Sequence, residues 1–234
     1  MNKKLVVAVM GLMLSFSVWA ERDEEREAEP GCSISGQLLQ KIRDQMPIII
    51  TQNIGGFFNP ARAWVAIVDR KGRLCTAFQV GEAPPYARTI AISKAGTANG
   101  FSNDALALST ANLYSAAQPG GIIYGVDNTH PFNTKYLAQG SGIGQVPGGL
   151  VTAAGGIPLY RDGKVIGGIG LSGDSACADH VMAYRIRRNV GLDHIPAGLG
   201  YNGTDNIDYL APGEAPNGFK TPHCFPQDIP SGSI

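Results

Sequence analysis

The stretch Gly155-Gly156-Ile157-Pro158-Leu159-Tyr160-Arg161-Asp162-Gly163-Lys164-Val165-Ile166-Gly167-Gly168-Ile169-Gly170-Leu171-Ser172-Gly173-Asp174 decides the fold. Two apolar runs flank Asp162-Gly163, the dipeptide that most readily takes the positive φ angles of a two-residue hairpin turn. The second run is rich in glycine, which weakens a strand unless something approaches its backbone closely. It stops at Ser172-Gly173-Asp174, where a helical pattern begins. A strand end feeding a helix N-terminus presents unspent N–H groups suited to an anion.

Working outward, the following helix is predicted over residues 175–189, with Ala178, Val181, Tyr184 and Arg188 on one face. Arg185, Arg187 and Arg188 fall near the negative end of its dipole. Upstream, a second hairpin is expected from strands at 63–68 and 74–80 around the turn Asp69-Arg70-Lys71-Gly72. Helical spacing of Ile34, Leu38, Leu39, Ile42, Met46 and Ile49 predicts a first helix that Pro47 ends near Gln45 or kinks. Further helices are predicted over 86–97 and from Asn103 or Asp104 to about Tyr114. Residues 115–149 carry only loop signals, and so long a structureless stretch in a compact domain is usually functional. The tail 191–234 has no period and is expected on the surface. Helix, hairpin, helices, loop, hairpin, helix gives an α+β class: an antiparallel sheet with helices packed on it, in a single domain.

Residues 1–20 have the positive, apolar and small-residue regions of a secretory signal peptide, with an apolar run too short to span a bilayer. Without Lys3 and Lys4, 17 basic residues face 19 acidic ones. The leader 21–32 holds six of those acidic residues and reads as solvated and flexible. No basic stripe exists for nucleic acid, and no later segment is long enough to cross a membrane. The expected product is therefore periplasmic or extracellular. The four cysteines, Cys32, Cys75, Cys177 and Cys224, suit two disulfides in such a compartment. Three pairings are possible. Cys177–Cys224 is favoured because it staples the tail to the last helix, leaving Cys32–Cys75. The domain proper is placed at 33–190, with 191–234 as an irregular extension.

Familiar catalytic signatures fail on context. Gly168-Ile169-Gly170-Leu171-Ser172-Gly173 has dinucleotide-loop spacing but lies in a hairpin rather than a strand–helix–strand unit. Gly173-Asp174-Ser175 is followed by Ala176 where a trypsin-like protease has glycine, and Gly170-Leu171-Ser172-Gly173 misses the hydrolase elbow by one position. If Cys177 pairs with Cys224, His180 and His223 come together and can share a metal; structural histidines beside a disulfide are the simpler reading. Lys94 is placed near a helix end, where it either meets the last carbonyls or binds a ligand carboxylate.

Three segments resemble the haem-degrading domain family, the GlcG/HbpS-like group that includes the C-terminal domain of PduO adenosyltransferases. They are Ala66-Ile67-Val68-Asp69-Arg70-Lys71-Gly72, Lys94-Ala95-Gly96-Thr97-Ala98, and the glycine hairpin ending in Ser172-Gly173, with Asp179 in the next helix. The resemblance implies a profilin-like α/β sandwich, homo-oligomers, and a non-covalently held haem; no Cys-x-x-Cys-His motif for covalent attachment is present. By position it carries over Lys94, Thr97, Gly156, Ser172 and Gly173 as ligand-binding candidates. The family's usual arginine after the second strand is replaced by Gln79-Val80-Gly81, and the loop and tail are longer, as in an exported subgroup. From the long loop, His130, Tyr124 or Tyr136 is a candidate iron ligand, with His180 and His223 weaker. Lys94, Arg88 or the helix N-terminus after Ser172 is positioned to meet propionates. The expected function is exported haem binding, in scavenging, degradation or redox sensing. Two alternatives stand beside it: an enzyme acting on a small carboxylate or aromatic compound through Lys94, Ser172 or Asp179, and a non-catalytic sensor or accessory module.

Overall fold

Asp162 and Gly163 adopt φ of 52° and 74°, the paired left-handed conformations of a tight hairpin turn. They join β3 (Gly156–Arg161) to β4 (Lys164–Ser172). A second hairpin is formed by β1 (Ala63–Asp69) and β2 (Leu74–Val80). The hairpins meet through β1 and β4, giving one four-stranded sheet of order β2-β1-β4-β3, antiparallel throughout. The computed structural model describes residues 31–234; the expected signal peptide, and the leader up to residue 30, lie outside the described residues.

Every residue of β1 is buried, because both sheet faces are covered. Trp64, Ala66 and Val68 point to one face, against Ala87, Ala91, Ile92 and Ala95 of α2 (Ala87–Phe101). Val65 and Ile67, with Ile157, Leu159, Ile169 and Leu171, point to the other. There they meet α1 (Gly36–Ile49) through Leu39, Ile42 and Met46, and α4 (Ala176–Asn189) through Ala178, Val181 and Met182. The period of two in the strands and 3.6 in the helices is thus spent on a three-layer α+β stack.

The glycines of β4 have a structural use. A Cβ on Gly170 would lie 2.6 Å from the Ala95 amide nitrogen, and one on Gly168 3.2 Å from Asn99 Cβ. Their absence lets α2 lie directly on the strand.

Three local expectations differ from the structure. α1 runs through Pro47 to Ile49: burial of Met46 and Ile49 keeps the last turn helical despite the proline. No long helix forms over 103–114. Asn103 Oδ1 accepts from the Ala105 and Leu106 amides (2.8 and 3.0 Å), Ser102 Oγ from Leu108, and Asp104 Oδ1 from Val165. Such side-chain bonds offer the backbone an alternative to the helix, and only α3 (Tyr114–Ala117) remains. The tail lacks regular strands but is not confined to the surface. Asp205 and Ile207 are fully buried, and Asp205 makes a two-pronged ion pair with buried Arg187 at 2.5 and 2.7 Å. The disulfides are Cys32–Cys75 and Cys177–Cys224, the favoured pairing, and they tie β2 to the entry of α1 and the tail to α4. No helix among the described residues is long and apolar enough to cross a membrane.

Candidate functional site

The Ala178 amide in the first turn of α4 and the Asp174 amide just before the helix are already occupied. Ser175 Oγ accepts from the Ala178 amide at 3.1 Å, and Asp179 Oδ1 from the Asp174 amide at 3.2 Å. Asp174 in turn accepts from the Phe57, Phe58 and Ser175 amides. Two carboxylates therefore sit where an incoming anion was expected.

Lys94 lies in the middle of α2 rather than near its end. Its Nζ donates to Leu171 O and to Asp179 Oδ2, both at 3.0 Å, with both side chains almost wholly buried. Burial pushes the Asp179 carboxyl above the usual carboxylate range while Lys94 pulls it back. Lys94, Ser172, Gly173 and Asp179 share a small pocket of about 350 Å3 with Tyr86 and Ile90. Gly156 packs its backbone against α2 and exchanges hydrogen bonds with Thr110. Thr97 Oγ1 donates to Ser93 O and accepts from the Val151 amide at 3.0 Å, pinning the end of the long loop to α2.

His130 is elsewhere. It lines a cavity of about 630 Å3 between α2 and the long loop. The walls are largely apolar: Val68, Ile92, Phe101, Val126, Val146 and Leu150, with Arg70 and Lys71 bringing positive charge. Gly96 and Gly100, one helical turn apart on α2, form part of the same wall, and a Cβ at either position would meet nothing within 4 Å. Glycine inside a helix costs about 1 kcal/mol relative to alanine. Here no neighbour fills the space that cost leaves open. The helix expected over 86–97 contains Gly96 but stops short of Gly100, so the i, i+4 pairing emerges only with the longer α2. Tyr124 is exposed and Tyr136 half-buried, and neither lines this cavity. Arg88 is committed to the loop: its terminal nitrogens donate to Tyr136 O (2.7 Å) and Ser141 O (2.5 Å). It holds the loop over α2 rather than reaching into the cavity.

His180 and His223 serve packing. His180 is buried, 3.1 Å from both Asn206 Oδ1 and the Ile207 amide; His223 stacks on Tyr209 with centroids 4.0 Å apart. The metal-compatible grouping among the described residues is Cys177, Cys224 and Asp228, whose two sulfurs are already bonded to each other. Burial pushes the His180 imidazole down to about 4, against a partial upward pull from Asp205, while Arg187 and Lys94 add to the depression. The unfolded chain protonates this group near pH 6.5. Between the two values the unfolded state binds more protons, so stability present above pH 6.5 is lost as pH falls through 4. Urea denaturation from pH 7.5 to 4 should show a loss approaching about 3 kcal/mol, and His180→Gln should flatten that dependence.

Corrinoid adenosyltransferases PduO of Citrobacter freundii and Salmonella typhimurium are 30% and 31% identical to this chain over 119 residues. That match spans about half of this chain but 29% of each relative. The structure of a PduOC:haem complex is similar with a TM-score of 0.52 and 25% identity, over 69% of this chain and 98% of that one. Klebsiella pneumoniae protein ORFY shares the fold at a TM-score of 0.52 and 21% identity, over 68% of this chain and 90% of its own. The sequence pattern of the haem-degrading HbpS-like proteins matches residues 59–186, more than half of the chain, and the chain belongs to that family.

Proposed function

We propose that this protein is exported and binds haem non-covalently in the cavity between α2 and the long loop. The observation that carries this reading is the pairing of an open helix face at Gly96 and Gly100 with apolar walls and one imidazole, His130. A flat macrocycle needs a surface it can approach closely, an iron ligand, and cations for its propionates. Gly96 and Gly100 meet the first need, His130 the second, and Arg70 with Lys71 the third. Bound haem would supply redox and oxygen chemistry at its iron; the chain's own residues supply the slot, the ligand and the charge. The haem complex of the PduOC relative and the family's description support haem as the ligand.

Export is supported by the signal-like residues 1–20 and by two disulfides, which persist in oxidising compartments. Homo-oligomerisation is part of the proposal by family resemblance.

Titrating the purified protein with haem should give a saturable Soret shift. His130→Ala should change the Soret position and weaken binding by about tenfold or more, the loss of one strong ligand bond. An unchanged spectrum in that variant removes His130 as the ligand, and the absence of any saturable shift in the parent protein sinks the proposal.

A further inference from the structure

A second cavity, of about 760 Å3, lies between the N-terminal half of α1 and the β3–β4 turn. Its lining includes the apolar Leu38 and Ile166 and four cations, Lys41, Arg70, Arg161 and Lys164. No carboxylate lines it among the described residues, although basic and acidic residues are equal in number, 19 of each, over the whole sequence. Lys41, Arg161 and Lys164 make no ion pair and no side-chain hydrogen bond among the described residues. Arg70 is held by the neutral oxygens of Asn99 and Ser102. Of the nearby acids, Asp69 is spent on Ser33, the turn amides and Arg73, and Asp104 accepts from the Val165 amide. Four cations facing one concavity repel each other, and a cleft of one sign concentrates its field on a counter-ion. Arginine offers planar forks and lysine a point charge to the same oxyanion.

We infer that this cleft is a binding site for a small anion carrying two or more negative charges, separate from the haem cavity. Arg70 stands in the wall between the two, lining both. A phosphate-based and a polycarboxylate ligand share the required chemistry. The size of the cleft and its four cations favour either over a monovalent ion.

The test is isothermal titration of the full chain with pyrophosphate and, separately, with citrate at low ionic strength. The two arms distinguish the sources of charge. Saturable binding is expected to at least one of them, weakening as salt rises to about 150 mM. The double variant Lys41→Ala/Lys164→Ala is expected to lose about tenfold or more in affinity, the scale of charge-assisted hydrogen bonds. Its circular dichroism and its haem titration should stay unchanged, because neither lysine lines the haem cavity. Lys135→Ala, on the long loop outside the cleft, serves as the control and should bind as the parent does. No saturable binding to either probe overturns the inference, as does an equal loss in the Lys135 control. Retained affinity in the double variant overturns it too.

Discussion

Lys94→Met is expected to destabilise the fold by about 3–5 kcal/mol at neutral pH, the cost of leaving one member of a buried ion pair alone. Methionine keeps the length and apolar stem of lysine but removes the ammonium. Asp179 then keeps only the Asp174 amide and loses its cation, with its side chain almost completely sealed from water. The carboxyl, already raised by burial, escapes this by taking a proton in the folded state alone. Each pH unit by which the solution exceeds the ordinary carboxyl value then costs about 1.4 kcal/mol. The defect of Lys94→Met should therefore shrink as pH falls from 7 towards 4, which denaturant titrations at both values will show. Lys94→Met/Asp179→Leu removes both charges and should recover much of the loss, since apolar pairs replace buried ion pairs at little net cost. A single variant that loses under about 1 kcal/mol, with no pH dependence, contradicts this account.

That pair also explains what the sequence could and could not disclose. The hairpins were readable because their signals are local: Asp162-Gly163, the Asp69 to Gly72 turn, and apolar runs of strand length. The sandwich follows from β1 being apolar from Ala63 to Val68, which leaves neither of its faces for water. Lys94 was visible as a residue of interest, but its partner lies 85 residues away on another helix. Burial of the tail was hidden for a similar reason. Asp205 is an ordinary loop residue until Arg187 is known to be sealed beneath it. The absent helix over 103–114 is a different failure. There Ser102, Asn103 and Asp104 each spend a side chain on an amide, two of them nearby and one in β4, which a helical expectation does not register. His130, Tyr124 and Tyr136 share one loop and were indistinguishable by sequence. Only the backbone path puts His130 in the cavity wall and leaves both tyrosines out of it.

Glycine composition poses the sharpest version of this problem, because the same residue type does opposite work at two places. Gly170 is small because α2 presses on it; Gly96 and Gly100 are small with nothing pressing on them. Gly170→Ala should destabilise by about 1–3 kcal/mol or more, since backbone atoms of α2 cannot give way cheaply. Gly96→Ala and Gly100→Ala should instead stabilise by up to about 1 kcal/mol each, as better helix formers with free space around the added methyl. Haem binding separates a structural from a ligand-related reason for that space. Gly96→Phe projects a ring into the cavity from the wall the macrocycle needs, and overpacking on this scale should weaken haem by about a hundredfold or more. The apoprotein should remain folded, with a melting temperature at or near the parent's, so loss of the Soret shift would not reflect unfolding. If Gly96→Phe and Gly100→Phe both titrate with haem as the parent does, haem does not lie against α2, and the open helix face belongs to some other ligand.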